Sequence, residues 1–114
     1  MNYGDIYWVD FGNSSMGHEY IGRRPALIIQ SNQQLKVSNL VTVMPLTSQT
    51  DNCQPDDISI KKNNQNSLHK DSVIKVHHIE SFDKNRFIGK IGEVDASTIE
   101  KVKQYLKIHF SIDS

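Results

Sequence analysis

Short apolar runs, each bounded by polar or turn-forming residues, fill the first four-fifths of the chain. They are rich in aromatic and β-branched residues, and several alternate between polar and apolar positions, which is typical of strands. The runs that fit this description are residues 6–11, 26–30, 40–44, 57–60, 72–76 and 90–94. The pattern therefore predicts a mainly β fold.

The periodicity changes towards the C-terminus. Apolar residues there recur at steps of three and four, as in a helix that packs one face on a core: Ile99, Val102, Leu106 and Phe110. Asp95 is a candidate N-cap that would let Val94 and Ile99 form a hydrophobic staple, whereas Ser97 with Glu100 is a competing capping box. Either start predicts the same C-terminal helix.

Chain length and strand edges define the expected architecture. The 114 residues fit one domain, spanning 1–114, with a single core. The edges of so small a sheet need closure or cover. We therefore expect a compact, strongly twisted antiparallel β-barrel with a C-terminal α-helix.

The overall charge argues against a surface that attracts polyanions everywhere. Thirteen Lys and Arg residues balance thirteen Asp and Glu residues, so a polyanion would have to be met by a local patch. Cys53 is the single cysteine, has no metal-ligand spacing and suits a reducing compartment. Because we find no apolar run long enough to span a bilayer and no signal-peptide pattern, we expect a soluble cytoplasmic protein.

Arg24 stands at the start of a continuous apolar run, directly before Pro25. Proline pushes the preceding residue into extended geometry, so the arginine is held where burial begins. Its planar guanidinium stays charged and suits a pair of phosphate oxygens better than the point charge of a lysine. Arg24 is therefore a candidate anion ligand, and a solvated arginine beside a strand is the alternative.

Two adjacent hydroxyls follow the third predicted strand. Pro45 cannot donate to a strand ladder and is expected to end the pairing, so that Thr47 and Ser48 emerge where the backbone leaves the sheet. Hydroxyls in that position are candidate phosphate contacts. The alternative is that they satisfy only the backbone of a local turn.

The connections give less chemical information. Residues 12–22 are rich in Gly and Ser, and a loop of this length is often functional or mobile, so it is a candidate lid. Residues 61–70 show no apolar period and are expected simply to join strands. Trp8 is expected in the core or at a dimer surface rather than stacked on bases. We assign no role to His69 or His109.

Several segments taken in order resemble the MazF/PemK (Kid-like) toxin endoribonucleases. They are residues 4–10, 17–19, 22–29, 45–48, 70–74 and 83–92, so the resemblance covers nearly the whole chain. It implies a small SH3-like β-barrel of the PemK/CcdB type that forms a homodimer. It also implies metal-independent, cofactor-free, sequence-specific cleavage of single-stranded RNA by the toxin half of a type II toxin–antitoxin pair, with a cognate antitoxin protein as partner.

The resemblance also assigns roles to individual residues. The family's arginine before proline and its threonine after the third-strand proline act at the scissile phosphate, which implies catalytic roles for Arg24 and Thr47. Ser48, beside the threonine, is an implied substrate contact. The family's Gly-His-Glu pattern matches His18 and Glu19, which would line the RNA groove.

One departure from the family concerns the pair His77 and His78. After the corresponding strand many relatives have an acidic residue and then glutamine. We hypothesise that His77 replaces the carboxylate in acid–base catalysis, since an imidazole has a near-neutral pKa suited to proton transfer, and that His78 contacts the substrate. The alternative is that both histidines only shape base recognition or pack locally.

Two other classes of function stay open at this stage. Toxins that poison DNA gyrase without catalysis share the same small barrel, and a barrel that only binds peptides is a further alternative. Neither requires an arginine directed at a phosphate, so the pair Arg24 and Thr47 favours the endoribonuclease.

Overall fold

A computed structural model of the chain describes residues 1–13 and 20–112. Its strands are β1 (Asp5–Asp10), β2 (Arg23–Ile28), β3 (Leu40–Thr47), β4 (Ile58–Ile60), β5 (Ser72–Ile74), β6 (Glu80–Asp83) and β7 (Phe87–Glu93). Its α-helices are α1 (Asn32–Val37) and α2 (Ala96–His109), and single 3₁₀ turns lie at Thr50–Asn52 and Lys84–Arg86. No helix in these ranges is both long and apolar enough to cross a membrane.

All strand pairs are antiparallel, and the sheet has the order β4-β5-β3-β2-β1-β7, with β6 paired to β3. The prediction of a mainly β fold with a C-terminal helix is confirmed. The predicted closure is not found, because the edge strands β4 and β7 do not pair with each other in the described part of the chain. The word barrel therefore describes this open sheet only loosely.

Side-chain alternation sends the apolar residues of each central strand into two separate clusters. In β2, Leu27 joins a cluster that includes Val102 of α2, which we call the helix-side core. Its neighbours Ala26 and Ile28 join a second cluster on the opposite face, which we call the second core. Because β-strand residues two apart share a face, the residues at the ends of these strands are assigned to one face or the other by the same rule.

Pro45 lies inside β3 instead of ending it, which corrects the sequence prediction. On one edge β3 pairs with β6 over residues 40–43 and then with β5 over residues 46–47. Pro45 lies at this change of neighbour, and its carbonyl accepts from the Lys75 N–H at 2.9 Å. The N–H that proline lacks falls where one partner strand gives way to the next, so the strand tolerates it.

Asp95 caps α2, as one of the two predicted starts requires. Its carboxylate accepts from the Thr98 N–H at 2.8 Å. Val94 lies in the helix-side core and Ile99 packs against it, in agreement with the predicted staple. The sequence did not predict β6 or α1, since α1 buries only Leu35 and Phe82 is the one apolar residue of β6.

The cap gives a pH-dependent contribution to stability. The hydrogen bond from the Thr98 N–H lowers the pKa of Asp95. Because the folded-state pKa is lowered, the contribution is complete above the ordinary carboxyl pKa and is lost as pH falls through the lowered value. We expect Asp95→Ala to lower the melting temperature at pH 7, and Asp95→Asn, which keeps an acceptor oxygen, to lower it far less.

Thermal unfolding followed by circular dichroism at pH 7 and pH 3 tests this expectation. The gap between the native protein and Asp95→Ala should shrink at pH 3, whereas the gap between Asp95→Asn and Asp95→Ala should persist. Equal gaps at both pH values would contradict the assigned role of the carboxylate.

Candidate active site

Strand register brings Arg24 and Thr47 together. β2 and β3 pair with Ala26 opposite Pro45. Continuing that register by two residues places Arg24 opposite Thr47, with both side chains on the face of the second core. Both residues are half-buried and line one cleft of about 520 Å³. Two positions separated by 23 residues in the sequence thus line the same cleft.

The Arg24 guanidinium is held on two sides. Its Nε–H donates to the Ile21 carbonyl at 3.1 Å. Its central carbon lies 4.7 Å from the centroid of the Tyr20 ring. Among the described residues no carboxylate lies within ion-pair distance of this arginine. Its charge is therefore available to an anionic ligand in this part of the molecule.

The Thr47 hydroxyl combines a local role with a free donor direction. Its oxygen accepts from the Gln49 N–H at 3.1 Å. The alternative prediction, that this hydroxyl satisfies the backbone of a local turn, is therefore confirmed for Thr47. A hydroxyl that accepts one hydrogen bond still has its own hydrogen to donate. Ser48 is exposed and lines the same cleft.

The charged side chains that line the cleft are predominantly positive. The described residues that line it are Trp8, Ile21, Gly22, Arg23, Arg24, Pro25, Leu46, Thr47, Ser48, Gln49, Ser67, Leu68, His69, Lys70, Ser72 and Ile91. Three of these are permanent cations and none is a carboxylate, in a chain whose formal net charge is zero. A chain without net charge can bind a polyanion only at a local basic patch. The cleft around Arg24 and Thr47 is such a patch.

The connection 61–70 builds one wall of this cleft, so the prediction that it only joins strands is wrong. Asn63 and Asn66 exchange side-chain-to-backbone hydrogen bonds of 3.0 and 2.8 Å. Asn66 is 4% exposed, and a Cβ at Gly92 would collide with its carbonyl, so the loop packs closely on β7. This ordered turn presents His69 and Lys70 to the cleft. The paired asparagines were the signal in the sequence, since asparagine side chains stabilise turns.

Trp8 also lies in the cleft, where it is 40% exposed. The predicted core position is therefore wrong, and the dimer surface stays a prediction. The alternation of β1 buries its neighbour Val9 and leaves the indole ring facing outward. Trp8 and His69 are therefore candidate site residues that the sequence analysis did not assign.

The two histidines after β5 contact different parts of the molecule: His77 contacts α2, and His78 contacts Tyr20. A turn closed by the His78 N–H to the Lys75 carbonyl, at 3.1 Å, separates their rings. His77 Nδ1 lies 2.9 Å from the Tyr105 hydroxyl on α2, and its Nε2 lies 3.5 Å from Asp56. The structure therefore does not bring His77 to Arg24 and Thr47.

His78 lies closer to the candidate site than His77 does. The rings of His78 and Tyr20 meet edge to face, with centroids 4.9 Å apart. Tyr20 is the ring that stacks on the Arg24 guanidinium. His78 is thus one aromatic ring away from the arginine, whereas His77 packs beside α2.

A buried ion pair fixes the turn that separates these histidines. The Lys75 side chain, 9% exposed, donates to the fully buried carboxylate of Asp57 and, at 3.0 Å, to the Asn52 carbonyl. Asp57 also accepts from the Val76 N–H at 3.3 Å. A buried charge is costly unless it is paired, so this network anchors the segment before β4 to the turn after β5.

His18 and Glu19 lie outside the described residues, as does most of the candidate lid at 12–22. The ends of that loop are described. The Gly22 N–H donates to the Gly12 carbonyl at 2.8 Å, and the Phe11 N–H donates to the Gly22 carbonyl at 2.8 Å. The loop therefore leaves and re-enters the sheet directly beside Arg24.

Metal-ligating side chains are scattered in the structure. Over residues 1–13 and 20–112 no group of three or more His, Cys, Asp or Glu residues is arranged to hold a metal ion. The chemistry that this arrangement can perform with its own groups is charge stabilisation by Arg24 and hydrogen-bond donation by Thr47 at a shared anion.

The fold and the cleft together define a small β-sheet protein with a cleft lined by cations. A family model described as PemK-like, MazF-like toxin of type II toxin-antitoxin system matches residues 2–110. The chain therefore belongs to this toxin family, and the resemblance found in the sequence is confirmed.

Individual relatives extend over nearly the same span. Endoribonuclease EndoA of Bacillus subtilis is 30% identical over 110 residues, which are 96% of this chain and 93% of the relative. The structure of MazF from Deinococcus radiodurans superimposes with a TM-score of 0.81 at 24% identity, covering 98% of this chain and 97% of that one. A mycobacterial endoribonuclease in complex with its cognate antitoxin has a TM-score of 0.69 at 21% identity, covering 100% and 96%.

Proposed function

We propose that this chain is an endoribonuclease that cleaves single-stranded RNA in the cytoplasm as the toxin of a type II toxin–antitoxin pair. The observation that supports this most strongly is that Arg24 and Thr47 line one cleft together with two further cations and no described carboxylate. The 30% identical relative from Bacillus subtilis is named an endoribonuclease, which agrees with this assignment.

The proposed reaction uses a nucleophile that belongs to the RNA. The 2′-hydroxyl loses its proton to water as its oxygen bonds to the adjacent phosphorus, negative charge grows on the non-bridging oxygens, and the bond from phosphorus to the 5′-oxygen breaks as that oxygen takes a proton from water. The products are a cyclic phosphate and a free 5′-hydroxyl. Arg24 stabilises the growing charge, and an oriented donor of this kind contributes about 3 kcal/mol to lowering a barrier. Thr47 donates a further hydrogen bond that orients the same phosphate.

The remaining cleft residues suit a flexible polyanion. Arg23 and Lys70 attract the phosphates on either side of the reacting one, and the exposed face of Trp8 provides a surface for an unstacked base. Ser48 lies beside Thr47 as a further hydroxyl contact. Bases are accessible for such stacking in single strands and not in a duplex, which favours single-stranded RNA as substrate.

The positions of the histidines separate their proposed roles. His78 is proposed to contact the substrate, because its ring lies against Tyr20 beside Arg24. A catalytic role for His77 would require its ring to leave Tyr105 and approach the cleft. His18 and Glu19 keep the RNA-groove role that the family resemblance implies.

The proposed partners are an antitoxin protein and a second copy of this chain. The antitoxin is supported by the family description, which places its members in type II toxin–antitoxin systems, and by the solved mycobacterial complex. A gyrase poison with the same fold is less favoured, because poisoning requires neither a phosphate-directed arginine nor an opposing hydroxyl.

The product ends test the proposed reaction. Incubating the protein with a long single-stranded RNA in the presence of a chelator should give defined fragments with cyclic phosphate and 5′-hydroxyl ends. A 2′-deoxy substitution at the cleaved nucleotide should abolish cleavage there and preserve binding, because the nucleophile is lost. Mass spectrometry of the fragments is the measurement. Intact RNA, with gyrase stalled on DNA, would support the poison instead.

Arg24 and Thr47 can be tested by matched substitutions. Arg24→Ala should lower the single-turnover rate at saturating RNA by about 100-fold, and Arg24→Lys should recover only part of it, because lysine lacks the planar fork. Thr47→Val should lower the rate, and Thr47→Ser, which keeps the hydroxyl, should recover most of it. As a control, Arg23→Ala removes the same charge from the neighbouring position and should mainly raise KM. Equal effects of Arg23→Ala and Arg24→Ala on the rate would contradict the assignment.

A further inference from the structure

Residues 20 and 21 hold the Arg24 side chain in two ways at once. The Tyr20 ring lies 4.7 Å from the central carbon of the guanidinium, at cation–π distance, and the Ile21 carbonyl accepts from Nε at 3.1 Å. An arginine side chain has many rotamers, so a guanidinium fixed by only one contact would lose much of the geometry that phosphate recognition requires.

Tyr20 is itself held in place. It is half-buried and packs against the second core, which contains Val9, Ala26 and Ile28. Its ring also meets the ring of His78 at 72°. The tyrosine ring is therefore packed against both the second core and the His78 ring.

We propose that Tyr20 is a positioning residue for the phosphate-binding Arg24, a role that rests on the proposed endoribonuclease function. The tyrosine ring covers one face of the guanidinium, and the Ile21 carbonyl occupies its Nε. The edge formed by the two Nη atoms is then the one presented to the phosphate, and this edge is suited to bidentate contact with two oxygens. Tyr20 does not touch the RNA phosphate in this arrangement and acts through the arginine.

The chain offers a matched control for Tyr20. Tyr7 also packs against the second core, and its edge-to-face partner is Phe87 and not the arginine. Replacing either tyrosine with leucine removes a similar ring from the same cluster. Only the change at Tyr20 removes the support of Arg24.

The kinetic test compares these variants by single-turnover cleavage at saturating RNA. We expect Tyr20→Leu to lower the rate about 3- to 30-fold, the range expected from losing a cation–π contact. Tyr20→Phe should recover most of the rate because it keeps the ring. Tyr7→Leu should lower the melting temperature without a comparable loss of rate. In an Arg24→Ala background, Tyr20→Leu should cause no further loss.

A second measurement detects the contact without cleavage. In the NMR spectrum of the full chain, the Arg24 side-chain protons should be shifted upfield by the tyrosine ring current. The shift should persist in Tyr20→Phe and vanish in Tyr20→Leu. Absence of the shift in the native protein, or an equal kinetic effect of Tyr20→Leu with and without Arg24, would overturn the proposal. A native protein that shows the shift but leaves RNA intact would overturn the proposed function while confirming that Tyr20 holds the guanidinium.

Discussion

The pairing register of β2 with β3 is the constraint on which the candidate site depends. With Ala26 opposite Pro45, an arginine two residues before the first position and a threonine two residues after the second share one face of the sheet. A slip of one residue would send one of these side chains to the opposite face. The register is itself fixed by burial, since Leu27 enters the helix-side core while Ala26 and Ile28 enter the second core. Core packing thus determines the geometry of the site.

Charge segregation complements this geometry. The chain has no net charge, yet the described lining of the cleft contains Arg23, Arg24 and Lys70 and no carboxylate. Acidic residues are used elsewhere, for example in the buried Asp57 pair with Lys75 and in the Asp95 cap. A neutral protein can in this way bind a polyanion at one place without attracting it over its whole surface.

The sequence predicted those parts of the molecule that follow from local periodicity and capping chemistry. Alternating apolar runs located six of the seven described strands, and Asp95 and the apolar period that begins at Ile99 located α2. The missed elements bury little: α1 buries only Leu35, and β6 has Phe82 as its one apolar residue, which is partly buried. Pro45 was misjudged because its tolerance depends on a change of partner strand, which is a tertiary property.

The site residues also divide into those that the sequence indicated and those that depend on tertiary structure. Arg24, Thr47 and Ser48 were predicted from the family resemblance, with Arg24 also singled out by the proline that follows it, and all three line one cleft. His77 and His78 could not be separated from the sequence, since a turn closed on Lys75 decides which ring faces α2 and which faces Tyr20. Trp8 lines the cleft through packing between segments distant in the sequence, which no local pattern indicates, whereas the asparagine pair before His69 was a local signal of an ordered turn that the prediction did not use.

The most direct test of this account is a crystal structure of the protein bound to a single-stranded RNA made uncleavable by a 2′-deoxy substitution at the cleaved nucleotide. The account predicts that non-bridging oxygens of the phosphate at that nucleotide lie within hydrogen-bond distance of both an Arg24 Nη atom and Thr47 Oγ1. A phosphate out of reach of either group, or RNA bound on another surface, would contradict it.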